Sequence, residues 1–345
     1  MGKNIGLLAD NTPTFPSLPL MKISAYHKSR GDKVEFAQTA LFAHYDIVYV
    51  SRTFNLELKT VPKIDTDYIS ADKFIYGGTG YAIEVVEGKE VFHKEKDVFL
   101  PREIEHIYPD YSLYPELTKN TAYGFLTRGC SNGCPFCIVP EHEGKVSRKV
   151  ADLNEWWNGQ KNIKLLDANM LACKDRIELL KQLINSNASI DYTQGLDARF
   201  INDEIAQLIC QTKISMVHFA FDLMKNEERI VKGLKVFKKH FNKDDRHAKV
   251  YILTNFNTTF QEDLYRIRKV IELGYAPDVR IYQKQSAPQF LRDVAGWANN
   301  PIIYRSCKLE DFVPRSDGKC MAEIYNEILK GVRYKNEQHN KKTET

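Results

Sequence analysis

Residues 127–137 read TRGCSNGCPFC, and the rest of the chain is best read outward from them. Cys130, Cys134 and Cys137 fall within eight residues, separated by three and then two positions. Gly129 and Gly133 let the backbone turn tightly around whatever the thiols hold. Three neighbouring thiols are read as zinc ligands, as part of an iron–sulfur site, as a redox pair or as idle cysteines. A structural zinc site wants a closed tetrahedral set, and His142, five positions after Cys137, offers the fourth donor of a Cys3His arrangement. A cluster held by three cysteines instead leaves one iron without a protein ligand, where a substrate or cofactor binds. The loop alone favours the cluster and leaves the zinc reading standing beside it.

Composition narrows the setting. The chain has 345 residues and is 43% hydrophobic, enough for two cores. Forty-nine basic against 45 acidic side chains give a net charge of +4, too mild and too dispersed to indicate nucleic acid. Seven cysteines, with three in one loop, do not suit a disulfide framework; a reducing, cytoplasmic setting is expected. The opening MGKNIGLLADNTPTFP lacks a long apolar core and a cleavage pattern, and no later apolar run approaches the roughly 20 residues of a membrane span. A soluble protein without a membrane partner is therefore expected. The Lys-rich end from Tyr334 to Thr345 reads as a solvated tail.

Before the cysteine loop, Asn4 to Ala9 reads as a buried parallel strand that stops at Asp10 and the Pro-containing turn Asn11 to Pro19. Leu20, Ile23, Ala25 and Tyr26 share a helical face, and Gly31 is placed to close that helix. Val34 to Phe36, Asp46 to Val50 and Lys73 to Tyr76 read as further strands of a small doubly wound, Rossmann-like domain over residues 1–100. Gly77-Gly78-Thr79-Gly80 lacks the spacing of a dinucleotide-binding fingerprint and reads as a tight turn. Val85 to Asp97 reads as a charged, solvated loop or hairpin around Gly88, and residues 101–120 as a connector.

From Thr121 the chain alternates short apolar strands with amphipathic helices, the signature of a parallel α/β layer. The strands expected are Tyr123 to Leu126, Ile163 to Leu166, Ser189 to Tyr192, Met216 to Phe221, Val250 to Leu253 and Val279 to Tyr282. Asp152 with Glu155 and Thr259 with Glu262 are capping-box pairs that mark helix starts. Buried helical faces are expected at Ile177, Leu180 and Ile184, at Ile230, Leu234, Phe237 and Phe241, and at Leu264, Ile267 and Ile271. Six such units over residues 121–285 predict a partial (β/α)6 TIM-like barrel, with a helical segment and tail over 286–345. In parallel barrels the active site gathers at the carboxyl ends of the strands.

The cysteine spacing, with Phe136 just before the last cysteine, resembles the radical S-adenosylmethionine superfamily. The preceding Thr-Arg-Gly-Cys is similar to the branch that carries an N-terminal cobalamin-binding-type domain. The resemblance implies an enzyme with one [4Fe-4S] cluster on Cys130, Cys134 and Cys137, whose open iron binds S-adenosylmethionine. One electron then cleaves the cofactor to a 5'-deoxyadenosyl radical that abstracts hydrogen from a substrate the sequence does not name. It also implies a flavodoxin- or ferredoxin-type electron donor. By position at strand ends, the resemblance puts Asp167 and Asn169 near the amino group of S-adenosylmethionine, and Gln194, Asp197 and Arg199 near its ribose and carboxylate. An internal ion pair between Asp197 and Arg199 is the plainer reading of those two. Asp222 is a further rim carboxylate, and His218 reads as a satisfied core residue. Cobalamin is less favoured, because Ala25 stands where the axial-histidine pattern around His27 needs Asp. No cysteine precedes Cys130, which argues against the methylthiotransferase branch, whose first domain carries its own cluster.

Overall fold

The computed structural model describes residues 2–9, 15–39, 43–53, 66–86 and 89–331. Asp10, residues 11–14 of the Pro-containing turn, Gly88, Val332 and the tail from Tyr334 lie outside the described residues. The chain divides into two compact units: residues 1–168 with 173–191, and residues 169–172 with 192–345. Among the described residues no helix is long and apolar enough to cross a membrane.

The first strand, β1 (Asn4–Ala9), leads into α1 (Leu18–Ser29), then β2 (Lys33–Phe36), β3 (Ile47–Ser51) and β4 (Phe74–Gly77). These strands form one parallel sheet in the order β2-β1-β3-β4. Alternation along each strand sends Ile5 and Leu7 to one face, with Leu20, Ile23 and Ile104, while Val48 and Val50 go to the other with Tyr45 and Ile69. The helix α1 ends at Arg30, and Gly31 takes a positive φ of 82°, as a chain leaving a helix for a strand requires. Gly78 has φ 102°, and a Cβ there would stand 2.2 Å from the Arg52 carbonyl oxygen, so the glycine run is a turn pressed against backbone. The expected charged hairpin is present as an antiparallel pair, Ile83–Val86 with Lys89–Phe92.

All six later strands form, in a mixed α/β arrangement. They are β5 (Thr121–Gly124), β6 (Asn162–Leu165), β7 (Ser189–Leu196), β8 (Lys213–Ala220), β9 (Ala248–Thr254) and β10 (Ala276–Ile281). They make one six-stranded parallel sheet in strict chain order, β5 to β10. The intervening helices are α2 (Arg176–Ser186), α3 (Asp203–Gln211), α4 (Glu227–His240) and α5 (Phe260–Glu272). Thr259 caps α5 as expected, its side chain accepting from the Glu262 amide at 3.2 Å while Glu262 reaches back to the Thr259 amide at 2.8 Å. Asp152 and Glu155 pair in the same sense but start only the single 3-10 turn Leu153–Glu155. On α2 the fully buried residues are Leu179, Leu180 and Leu183, so the face is rotated from the expected Ile177 and Ile184. On α4 the expected face holds, and Phe237 meets Phe219 of β8 edge-on at 4.9 Å. Burial of each such aromatic contributes about 1.5–3 kcal/mol.

Candidate functional site

The three residues before the first cysteine each have a mechanical task. Thr127 is fully buried, and its hydroxyl donates to Asp167 Oδ1 at 2.6 Å while its amide donates to the same oxygen at 2.5 Å. The Leu126 amide donates to Asp167 Oδ2 at 3.1 Å. Arg128 donates to Glu143 Oε1 at 2.7 Å and lays its guanidinium 3.4 Å from the centre of the Phe125 ring. Gly129 has φ 93°, and a Cβ there would stand 2.3 Å from the Val146 carbonyl oxygen; its amide donates to Glu143 Oε2 at 2.9 Å. Only glycine fits that place. The loop is closed at its base by antiparallel pairing of Thr127 with Lys149 and Arg128 with Arg148.

Within the loop the Cys137 amide donates to the Cys134 carbonyl at 3.0 Å, and the Cys130 amide donates to the Gly144 carbonyl at 3.0 Å. Cys130 is buried, Cys134, Phe136 and Cys137 are half-buried, and none of the seven cysteines is in a disulfide. Among the described residues no three His, Cys, Asp or Glu side chains are gathered closely enough to hold a metal ion. A single ion draws all its ligands into one coordination shell, whereas a cluster attaches each thiolate to a different iron. The donor set, three thiols on one glycine-turned loop, fits a cluster, which takes each thiolate on a different iron. His142, the fourth ligand of the zinc reading, pairs its Nδ1 with Asp97 at 2.6 Å and stacks its ring on Phe99 at 5.1 Å.

Asp167 lies two residues past Leu165, the last residue of β6, and its carboxylate accepts hydrogen bonds from the entry to the cysteine loop. Burial pushes its pKa up to about 6, against the lowering pull of its Thr127 and Leu126 hydrogen bonds and the Arg128 charge. In the second unit, Asn169 donates to Asp197 Oδ2 at 3.2 Å, and Arg199 grips the same carboxylate with Nε at 2.9 Å and Nη2 at 2.7 Å. The plainer expectation, an internal Asp197–Arg199 pair, is thus present, and Asn169 joins it. Gln194 is exposed and lies within β7, which runs on to Leu196 instead of stopping at Tyr192. The turn carrying Asp197 is pressed against α4, where a Cβ on Gly233 would stand 1.8 Å from the Ala198 carbonyl oxygen.

His218 donates from Nδ1 to the Tyr192 carbonyl at 3.0 Å and stacks on Tyr251 at 4.9 Å, in keeping with a satisfied side chain. Asp222 accepts from the Leu253 amide at 2.8 Å, and burial raises its pKa. Sequence reasoning missed Arg266. This fully buried guanidinium donates to the carbonyls of Phe221, Asp222 and Leu253 and to Asp263 Oδ1, tying the carboxyl ends of β8 and β9 together. The only signal was a cation beside the apolar positions Leu264 and Ile267. His27 is buried with both ring nitrogens taken, Nδ1 by Asp32 at 2.7 Å and Nε2 by Tyr49 at 3.0 Å, which supports the reading that leaves it out of cofactor ligation.

Comparison with known proteins agrees with the loop. The chain is 26% identical over 239 residues, 64% of its length, to the ribosomal protein uS12 methylthiotransferase RimO of Thermoanaerobacter sp.. It is 27% identical over 133 residues, 33% of its length, to the tRNA-2-methylthio-N(6)-dimethylallyladenosine synthase of Bordetella avium, and 32% identical over 99 residues, 26% of its length, to a CDK5RAP1-like protein of Oryza sativa. The likeness supports the radical S-adenosylmethionine superfamily. The chain spans 48%, 28% and 16% of the length of these three curated relatives, respectively. No protein-family model matches it. At this identity and partial coverage the likeness is carried at the level of the superfamily.

Proposed function

We propose that this chain is a radical S-adenosylmethionine enzyme, with Cys130, Cys134 and Cys137 holding one [4Fe-4S] cluster. The observation that carries the reading is the loop itself: three thiols turned by Gly129 and Gly133, with each residue of its Thr-Arg-Gly prefix anchored. A cluster there supplies the electron that cleaves S-adenosylmethionine to a 5'-deoxyadenosyl radical, which takes hydrogen from the substrate. Asp167 holds the loop entry, so its part is positioning. Asn169, Asp197 and Arg199 form a preset polar group; Arg199 is suited to a carboxylate and Asn169 to an ammonium or hydroxyl, and both are proposed to hold S-adenosylmethionine together with Gln194 and Phe136. The six-stranded parallel sheet in chain order supports a partial (β/α)6 TIM-like barrel over residues 121–285, and the four-stranded sheet supports a Rossmann-like domain before it. A flavodoxin- or ferredoxin-type donor delivers the electron. The relatives' names bring tRNA and a ribosomal protein forward as substrates to try.

The zinc reading draws no support from the relatives, whose names are those of methylthiotransferases and a CDK5RAP1-like protein. Anaerobic reconstitution with iron and sulfide tests the proposal. About four irons and four sulfides per chain, with brown colour lost in Cys134→Ala, are expected; a colourless protein holding one stoichiometric zinc would sink it.

A further inference from the structure

The first unit contains a cavity of about 450 Å³, within the range of small-molecule sites. Its floor is formed where parallel strands end, at Ser51 of β3 and at Gly77 and Gly78 after Ile75 of β4, the edge of a parallel sheet where ligands are usually met. Its walls are mostly apolar, with Leu20, Ile23, Val98, Phe99 and Phe125 among them. Arg128 and His142, which flank the cysteine loop on either side, also line it, while no cysteine does among the described residues. A molecule in the cavity therefore lies against the loop without occupying the thiol site.

The polar lining is sparse and mostly self-paired. Lys22 is bonded to Glu105 at 2.8 Å, and Arg128 to Glu143 at 2.7 Å. Asp97 differs. Its side chain is only 2% exposed, Oδ2 is held by His142, and Oδ1 has no hydrogen-bond partner among the described residues. A desolvated carboxylate oxygen left unpaired is costly, so a donor is expected to meet it in the working state. His142 is fixed for the same purpose: its Nδ1–H donates to Asp97, its ring lies against Phe99 and meets Phe92 edge-on at 6.1 Å, and in the neutral ring Nε2 is then an acceptor. Two acceptors in an apolar enclosure call for a ligand with an apolar body and a donor-rich cationic head.

We propose that this cavity is the substrate pocket and that it takes a small hydrophobic primary amine, its ammonium group bonded to Asp97 Oδ1 and oriented by His142. The assignment of the occupant as substrate rests on the radical-enzyme reading; the assignment of its chemistry does not. The test is ligand-observed NMR on the purified full chain at neutral pH, with 2-phenylethylamine, 2-phenylethanol and 3-phenylpropionate as probes. Saturation transfer to the amine is expected, with affinity at least tenfold above that of the alcohol or the acid. Asp97→Asn, shown by an unchanged urea midpoint to be folded, is expected to remove that preference. Ile75→Trp, which fills the cavity, is expected to abolish binding of all three. Equal binding of amine and alcohol, no binding of the amine, or an amine preference that survives both substitutions would overturn the proposal. The measurement is repeated on Cys130→Ala protein without a cluster. Retained amine binding there, together with failed cluster assembly in the wild type, would bring down the enzyme reading alone; cluster assembly without amine binding would bring down the pocket alone.

Discussion

At the scale of single residues, Asp167 is the position where the sequence was read correctly in place and incompletely in role. Its location at a strand end was visible from the apolar run before it, but its partners lie 40 and 41 positions back, at Thr127 and Leu126, and no local pattern announces them. Asp167→Ala removes the acceptor for two buried amides and a hydroxyl and is expected to lower stability by about 2–4 kcal/mol, read as a shifted urea midpoint, and to lower iron retention with it. Asp167→Asn separates two roles: if the carboxylate only positions the loop, cluster content falls while affinity for S-adenosylmethionine per cluster is kept. The pH dependence has a definite sign. The folded pKa, raised to about 6, lies above the unfolded value, so the native state binds the proton more tightly. The burial penalty on the charged form is carried in full above pH 6 and is relieved as the pH falls toward 4. The stability of Asp167→Asn relative to wild type should therefore rise between pH 4 and pH 6 and level off above it; a flat or falling difference in urea titrations would show that Asp167 is not buried as described. Arg266 gives a companion case. Its replacement by Leu leaves Asp263 charged and buried with three carbonyls unmet, an expected loss of about 3–5 kcal/mol.

At the scale of elements, strand existence was legible because runs such as Val250 to Leu253 are apolar, short and flanked by turn residues. Boundaries were less so. Gly195 reads as a loop residue, yet β7 continues to Leu196 with Gly195 at φ 98°, because pairing within the sheet outweighs the local preference of one glycine. Asp152 and Glu155 carry a capping signal, but Gly159, at φ 82°, comes too soon after it for a helix to propagate. The cavity was not legible at all, since its lining is drawn from positions between Phe15 and Leu166. Gly233 offers an element-scale test. A methyl group there would strike the Ala198 carbonyl, so Gly233→Ala is expected to displace the turn bearing Asp197 and Arg199, costing about 1–3 kcal/mol and weakening S-adenosylmethionine binding more than cluster assembly. Equal loss of both would point to general unfolding instead. Thr259→Ala, by contrast, removes one helix cap and should lower stability by about 1 kcal/mol, read as a shifted urea midpoint.

At the scale of the whole molecule, the first unit holds a cysteine loop anchored by Asp167 and Glu143 and an apolar cavity that reaches the loop through Arg128 and His142, and the second unit holds a polar group of Asn169, Asp197 and Arg199. The resemblance in the loop and the likeness to distant relatives point to the same chemistry, and neither names the substrate. The central claim is that the three thiols serve reductive cleavage of S-adenosylmethionine. Its most direct test is product analysis of anaerobically reconstituted protein reduced with dithionite in the presence of S-adenosylmethionine. The account predicts 5'-deoxyadenosine and methionine in equal amounts, abolished in each of Cys130→Ala, Cys134→Ala and Cys137→Ala. A protein that holds a full complement of reduced cluster and forms no 5'-deoxyadenosine, or forms it undiminished in those variants, would contradict it.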